Sequence, residues 1–314
     1  MKYFVIIVLI IVCFGIELNA QCCSAGNPVG GIGTIEWLGN KELKILTSYK
    51  YSHSSEYFHE NKRFEIPYID KSYYDFLNTS LSYGATERIS FRTELGYFFD
   101  KTQELNINNE ELIIRSSGIG DLGINANYTV LKRMKPFSQL VFSVGTRLPV
   151  GKFDEKQDGI TIPVSLQPSS GALKYNFSVF YSTKYTDKKF GWYTYSMFEM
   201  SNTINKEFLI YKYGNYFQYA IAFNYKLVKN LLLITNTKFE WRGKDTRESG
   251  LIVESSGSKV VILNPQLFYN IKKSWDIIIH TEIPIYKYVN GYQLTNKFAV
   301  QVIIRKNILF AGCH

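Results

Sequence analysis

The sequence predicts an all-β protein: a transmembrane antiparallel up-and-down β-barrel of about 12 strands, with short periplasmic turns and long extracellular loops. Three observations predict it. The chain opens with an export signal, most of the remaining sequence alternates in polarity with period two, and the connections between alternating runs are by turns tight and long. No stretch beyond the N-terminus reaches the roughly 20 consecutive apolar residues that a membrane helix needs.

The export signal comes first. Met1-Lys2 gives a positive start, residues 4–16 form an apolar run, and Leu18-Asn19-Ala20 ends on a small residue suited to cleavage, so 1–20 reads as a signal peptide. Cys22 and Cys23 come directly after it, but lipid attachment favours a small residue just before the cysteine and Gln21 stands there. Export is therefore the expectation. Cys22, Cys23 and Cys313 would then enter a compartment where disulfides persist, and both a bond joining the chain ends and no specific pairing fit three thiols.

The alternation is next. A strand sends successive side chains to opposite faces, and in 173–185 Leu173, Tyr175, Phe177, Val179 and Tyr181 alternate with Lys174, Asn176, Ser178 and Ser182. In 217–227 Phe217, Tyr219, Ile221, Phe223 and Tyr225 oppose Gln218, Ala220, Ala222 and Asn224, and in 231–242 Leu233, Phe239 and Trp241 oppose Lys238, Glu240 and Arg242. Similar runs at 43–53, 77–83, 89–99, 121–131, 139–149, 192–201, 261–271, 275–286 and 297–305 complete the set. Tight turns fall at 85–87, 132–137, 187–189, 229–230 and 272–273, and long loops at 60–76, 100–116, 151–172, 205–215, 243–258 and 289–296. Short turns on the periplasmic side place both termini there.

A soluble sandwich also alternates, so the polar face decides. It carries Arg92, Glu94, Asp121, Asn125, Asn127, Arg147, Lys174, Lys184, Lys238, Glu240, Arg242, Asp276, His280 and Glu282. In a closed barrel these side chains meet a wet lumen and the apolar face meets lipid, where closure satisfies every backbone donor and acceptor. The candidate lumen-lining selectivity residues are Arg92, Glu94, Asp121, Arg147, Lys174, Lys238, Glu240, Arg242, His280 and Glu282. The cations there outnumber the nearby carboxylates, which favours anionic or weakly acidic solutes in an open bore, whereas a plugged bore would let the charges pair and cancel. Tyr97, Phe99, Tyr185, Trp192, Trp241, Trp275, Tyr286 and Tyr288 at strand ends suit interfacial girdles. Pro265 and Pro284 each remove a ladder donor, so irregular pairing is expected beside them.

Other classes fit poorly. The excess of 36 Lys plus Arg over 27 Asp plus Glu is spread along the chain instead of gathered in a stripe, against a nucleic-acid partner. No cysteine or histidine spacing makes a metal site, and no Gly-x-Ser-x-Gly elbow is present. His280 and Glu282 share a strand face, but such a pair more often belongs to a charge network than to a catalytic site. The expectation is no enzyme, no cofactor and no metal.

Gly118-Ile119-Gly120-Asp121-Leu122-Gly123 running into Asn125-Ala126-Asn127-Tyr128 forms one distinctive segment, and 145–153, Gly-Thr-Arg-Leu-Pro-Val-Gly-Lys-Phe, forms a second. A third pairs Ile283-Pro284-Ile285-Tyr286 with Asn290-Gly291-Tyr292-Gln293-Leu294. These resemble outer-membrane β-barrel transporters of the meta-pathway phenol-degradation-like family, distantly akin to long-chain fatty-acid transporters. The resemblance implies passive uptake of small hydrophobic or aromatic compounds across the bacterial outer membrane, with membrane lipid and a small-molecule solute as partners. By the same analogy the Gly-rich segment 21–42 folds into the barrel 43–314 as a hatch, or else it is a periplasmic lead-in. The competing expectation is a barrel that transports nothing and whose outer loops bind a partner or surface polymer.

Overall fold

The computed structural model describes residues 38–65, 69–107, 110–185, 189–207, 209–272 and 274–310. The signal segment, most of the Gly-rich stretch and all four cysteines lie outside the described residues. The strands are β1 (Glu42–Glu60), β2 (Lys62–Phe64), β3 (Ile69–Gly84), β4 (Ile89–Ile107), β5 (Glu110–Ile119), β6 (Leu122–Met134), β7 (Phe137–Leu148), β8 (Lys156–Gln157) and β9 (Ile160–Thr161). They continue with β10 (Lys174–Lys184), β11 (Phe190–Ser201), β12 (Ile204–Lys206), β13 (Leu209–Lys212), β14 (Tyr216–Val228), β15 (Leu231–Arg242), β16 (Thr246–Arg247), β17 (Ser258–Lys272) and β18 (Trp275–Leu309).

Eleven of these pair antiparallel in the order β1-β3-β4-β6-β7-β10-β11-β14-β15-β17-β18, and β18 returns to β1 with register from Glu42 opposite Leu309 to Glu60 opposite Val289. The ring has no free edge, the condition for crossing lipid, where each unsatisfied backbone group costs several kcal/mol. β18 is 35 residues long. It pairs with β17 over Trp275–Val289 and with β1 beyond that point, reversing at Asn290-Gly291, where Gly291 adopts φ +61°. Its two passes bring the crossings of the ring to twelve, as the alternation predicts.

Exposure is inverted relative to a soluble protein. Phe177 and Phe223 are each 49% exposed and Ile285 60%, while Arg92, Glu94, Asn125, Asn176, Asp276 and Glu282 are buried. The apolar face looks outward and the charged face inward, which only a lipid surround makes favourable. In a cysteine-free background, Phe177→Cys and Phe223→Cys should therefore react with a membrane-partitioning maleimide while Ser178→Cys and Asn224→Cys stay unlabelled. The reverse pattern would invert the barrel.

Three of the expected loops are wholly or largely strand. β1 runs to Glu60 and β3 begins at Ile69, β4 runs to Ile107 and returns as β5, and 289–296 is a reversal inside β18. β1 and β4 have 19 residues each, against the 9–11 that a tilted strand needs to span. The surplus stands outside the bilayer, where no lipid selects an apolar face and the period-two signal fades. Opposite Pro284 the β17–β18 register shifts, between Val261 and Ile262, as expected of a missing donor.

The lumen wall is not uniformly polar. Val141, Phe180, Tyr195, Met197, Tyr216 and Ala220 form one inward apolar cluster, and Leu46, Ile278 and Ile303 with Phe268 form another. These positions share their strand faces with the polar ones, so counting charges misses them.

A candidate permeation path under an inward-folded loop

Side chains from separate strands assemble into two charge networks inside the ring. In the first, Arg147 Nη2 lies 2.8 Å from Glu94 Oε1 and its Nε 3.3 Å from Glu199 Oε2. Arg92 approaches the other Glu94 oxygen at 3.8 Å, and Lys174 Nζ lies 3.8 Å from Glu199. Glycines make the room: a Cβ on Gly123 would sit 2.6 Å from Glu94 Cγ, and one on Gly145 would sit 2.1 Å from Asn125 Oδ1. The glycines of two distinctive segments thus let charged or amide side chains lie flat across the neighbouring strand.

In the second network Glu282 receives Lys50 at 2.7 Å and Lys238 at 3.1 Å, and Lys238 also meets Glu240 at 2.8 Å. His280 does not orient Glu282. Asn264 Nδ2 donates to its Nδ1 at 2.9 Å, which leaves the proton on Nε2 for Gln301 Oε1 at 2.9 Å. Nearer the short turns, Arg305 pairs with Asp276 at 2.8 Å. Arg242 stacks 4.4 Å from the Tyr216 ring.

Lys184 departs from expectation. It is exposed at the short-turn end and does not line the lumen. Sequence reasoning misses Lys50 and Glu199, although both sit in step with inward neighbours, Lys50 between Ser48 and Ser52, and Glu199 between Met197 and Ser201. With Glu199 counted, the inward cations are largely matched by carboxylates.

Over the long-loop end, the connection 149–173 turns inward. Leu166, Gln167, Ser169 and Ser170 are almost fully buried. Asp121 holds it, its carboxylate accepting Ser169 Oγ at 2.7 Å and Ser170 N at 2.9 Å. Lys101 Nζ donates to the Gln167 carbonyl at 2.9 Å, and Tyr213 OH donates to the Ser170 carbonyl at 2.9 Å. Burial, with Asp121 and Asp245 nearby, raises the Tyr213 pKa well above its ordinary value, so this donor keeps its proton at any physiological pH. Phe153, Ala172, Ile204, Tyr211 and Val253 form a small core that welds the loop to its neighbours.

Beneath this cap lies a cavity of about 100 Å³, bordered by Lys101, Lys174, Glu199, Tyr213, Arg242 and Asp245. Among the described residues no cluster of His, Cys, Asp or Glu is arranged to hold a metal.

Among solved structures the chain is similar to an outer membrane channel from Pseudomonas putida F1, with TM-score 0.70 at 12% identity over 90% of this chain and 100% of that one. Weaker likenesses are to the NanC porin, TM-score 0.47 at 10% identity over 83% of this chain and 98% of the other, and to a Pseudomonas aeruginosa FadL homologue, 0.41 at 10% over 86% and 91%. Only the first is close enough to carry weight, and at that identity it shows the fold alone. No curated protein sequence matches. The family model described as "Putative MetA-pathway of phenol degradation" matches residues 100–302, from the upper part of β4 into the second pass of β18. That match spans well over half of the sequence, and the chain belongs to this family.

Proposed function

We propose that the chain is a bacterial outer-membrane channel that passes small hydrophobic or aromatic solutes passively through its lumen. One observation carries the reading: inside a closed ring, apolar patches and networks of paired charges share the wall beneath a loop folded into the mouth. The Val141–Ala220 cluster and the Leu46–Ile303 cluster give an uncharged ring somewhere to rest. The Arg147 and Glu282 networks tune what passes beside them. The ten lumen-lining positions act here as the polar frame of the path, with Asp121 holding its cap. Family membership and the likeness to a channel support this. The partner-binding alternative is not favoured, because the loop 149–173 spends its middle on the barrel interior and not on an outward surface.

Purified protein in liposomes should let phenol-sized solutes equilibrate faster than disaccharides, read by stopped-flow swelling and planar-bilayer conductance. Absence of both flux and conductance under all conditions would remove the channel reading.

A further inference from the structure

We propose that the short-turn rim of the barrel is a binding collar for anionic phospholipid headgroups. The chain's formal charge of +9 is not evenly placed once folded. Arg88, Arg133, Lys135, Lys189, Lys226 and Lys229 all stand exposed on the short-turn side. Among the described residues of the same rim the exposed or half-exposed acids are already engaged, Glu87 with Lys132 at 3.5 Å and Glu42 with the Gly39 N–H at 2.8 Å. The long-loop side instead pairs its charges, as in Arg63–Glu56, Lys71–Glu104, Lys152–Glu155 and Lys244–Glu254.

Two features point to lipid as the occupant. The cations come from four separate hairpins around the ring, and neighbouring hairpins touch through backbone bonds, Lys226 N to Lys189 O at 2.7 Å and Thr129 N to Arg88 O at 2.8 Å. A protein partner would engage one sector, whereas a lipid annulus meets all of them. The same level also bares hydrocarbon: Met134, Val228 and Leu309 are 67%, 62% and 74% exposed, and Lys306 Nζ lies 4.8 Å over the Trp275 ring. Greasy stems beside long-stemmed cations are the chemistry of a bilayer interface. A phosphodiester with net charge −1 is attracted by such a collar, and a zwitterionic headgroup much less so.

The test places the full-length mature protein in phosphatidylcholine vesicles with trace spin-labelled phosphatidylglycerol or phosphatidylethanolamine, and reads the motionally restricted fraction by electron paramagnetic resonance. Wild type should favour phosphatidylglycerol several-fold at low salt and approach parity in about 1 M salt, where screening acts within roughly 3 Å. The R133E/K135E/K189E/K226E variant should lose most of the preference. Equal association of the two lipids with wild type, or an unchanged preference in the variant, overturns the collar. If the variant fails to insert, the wild-type salt series decides, since a preference surviving 1 M salt has the same consequence. Loss of preference on adding inorganic phosphate, with ionic strength matched by chloride, would assign the rim to free phosphate and defeat the lipid proposal. None of these outcomes depends on solute passage.

Discussion

Asp121→Ala should loosen the inward-folded loop 149–173 and raise the open fraction of the proposed channel. Its carboxylate accepts from both Ser169 Oγ and Ser170 N, and all three residues are buried. Removing it strands a hydroxyl and a backbone N–H, each costing about 1–3 kcal/mol when left unsatisfied in the interior. Lys101 and Tyr213 still grip the Gln167 and Ser170 carbonyls, so the loop is loosened and not expelled. A net weakening of about 2 kcal/mol shifts the open-to-closed ratio roughly thirty-fold, at about 1.4 kcal/mol per factor of ten. Single-channel recordings should show a higher open fraction, and limited proteolysis should begin to cut within 149–173. Unchanged conductance with an intact loop would show that Asp121 does not hold the mouth shut.

Glu282→Ala should destabilise the barrel and bias it toward anions at the same time. Glu282 touches both Lys50 and Lys238, and after its removal Glu240 alone remains beside Lys238. Breaking a buried pair by deleting one partner costs about 3–5 kcal/mol, and lumen water brings this nearer about 2–3 kcal/mol. The urea midpoint in vesicles should fall accordingly, and the reversal potential in a salt gradient should move toward the anion value. Adding Lys50→Met should recover part of the stability and return the selectivity, because it deletes the charge left uncompensated. Full stability in the single variant would mean that these lysines are solvated without help from the carboxylate.

The barrel was legible because its physics is local. An apolar side chain at every second position, as in Phe177-Ser178-Val179 and Phe223-Asn224-Tyr225, marks a strand with lipid on one side, and no distant residue is needed to read it. The strands beyond the bilayer were not legible, since the upper halves of β1 and β4 mix charges and aromatics on both faces where water is the only solvent. The parity rule placed Arg92, Glu94, Arg147, Lys238, Glu240, His280 and Glu282 on the inward face. It could not tell that Lys184, which keeps that parity, lies at the exposed strand end; Phe180 and Ile278 keep the inward parity too, but a count of charges passes over them.

Closure into a membrane barrel, the direction in which the apolar face looks and the end that carries the short turns are all written in the chain itself, because each depends on side-chain alternation and connection length along one strand or hairpin. The folded ring was needed to reveal that Glu199 joins Arg147 to Lys174, that Lys50 and Lys238 share Glu282, and that Asp121 reaches 48 residues along the chain to hold Ser169. Those partners meet because ring closure and strand stagger bring distant segments to one level of the bore, and that stagger is set by pairing across the whole sheet and by no single stretch of it.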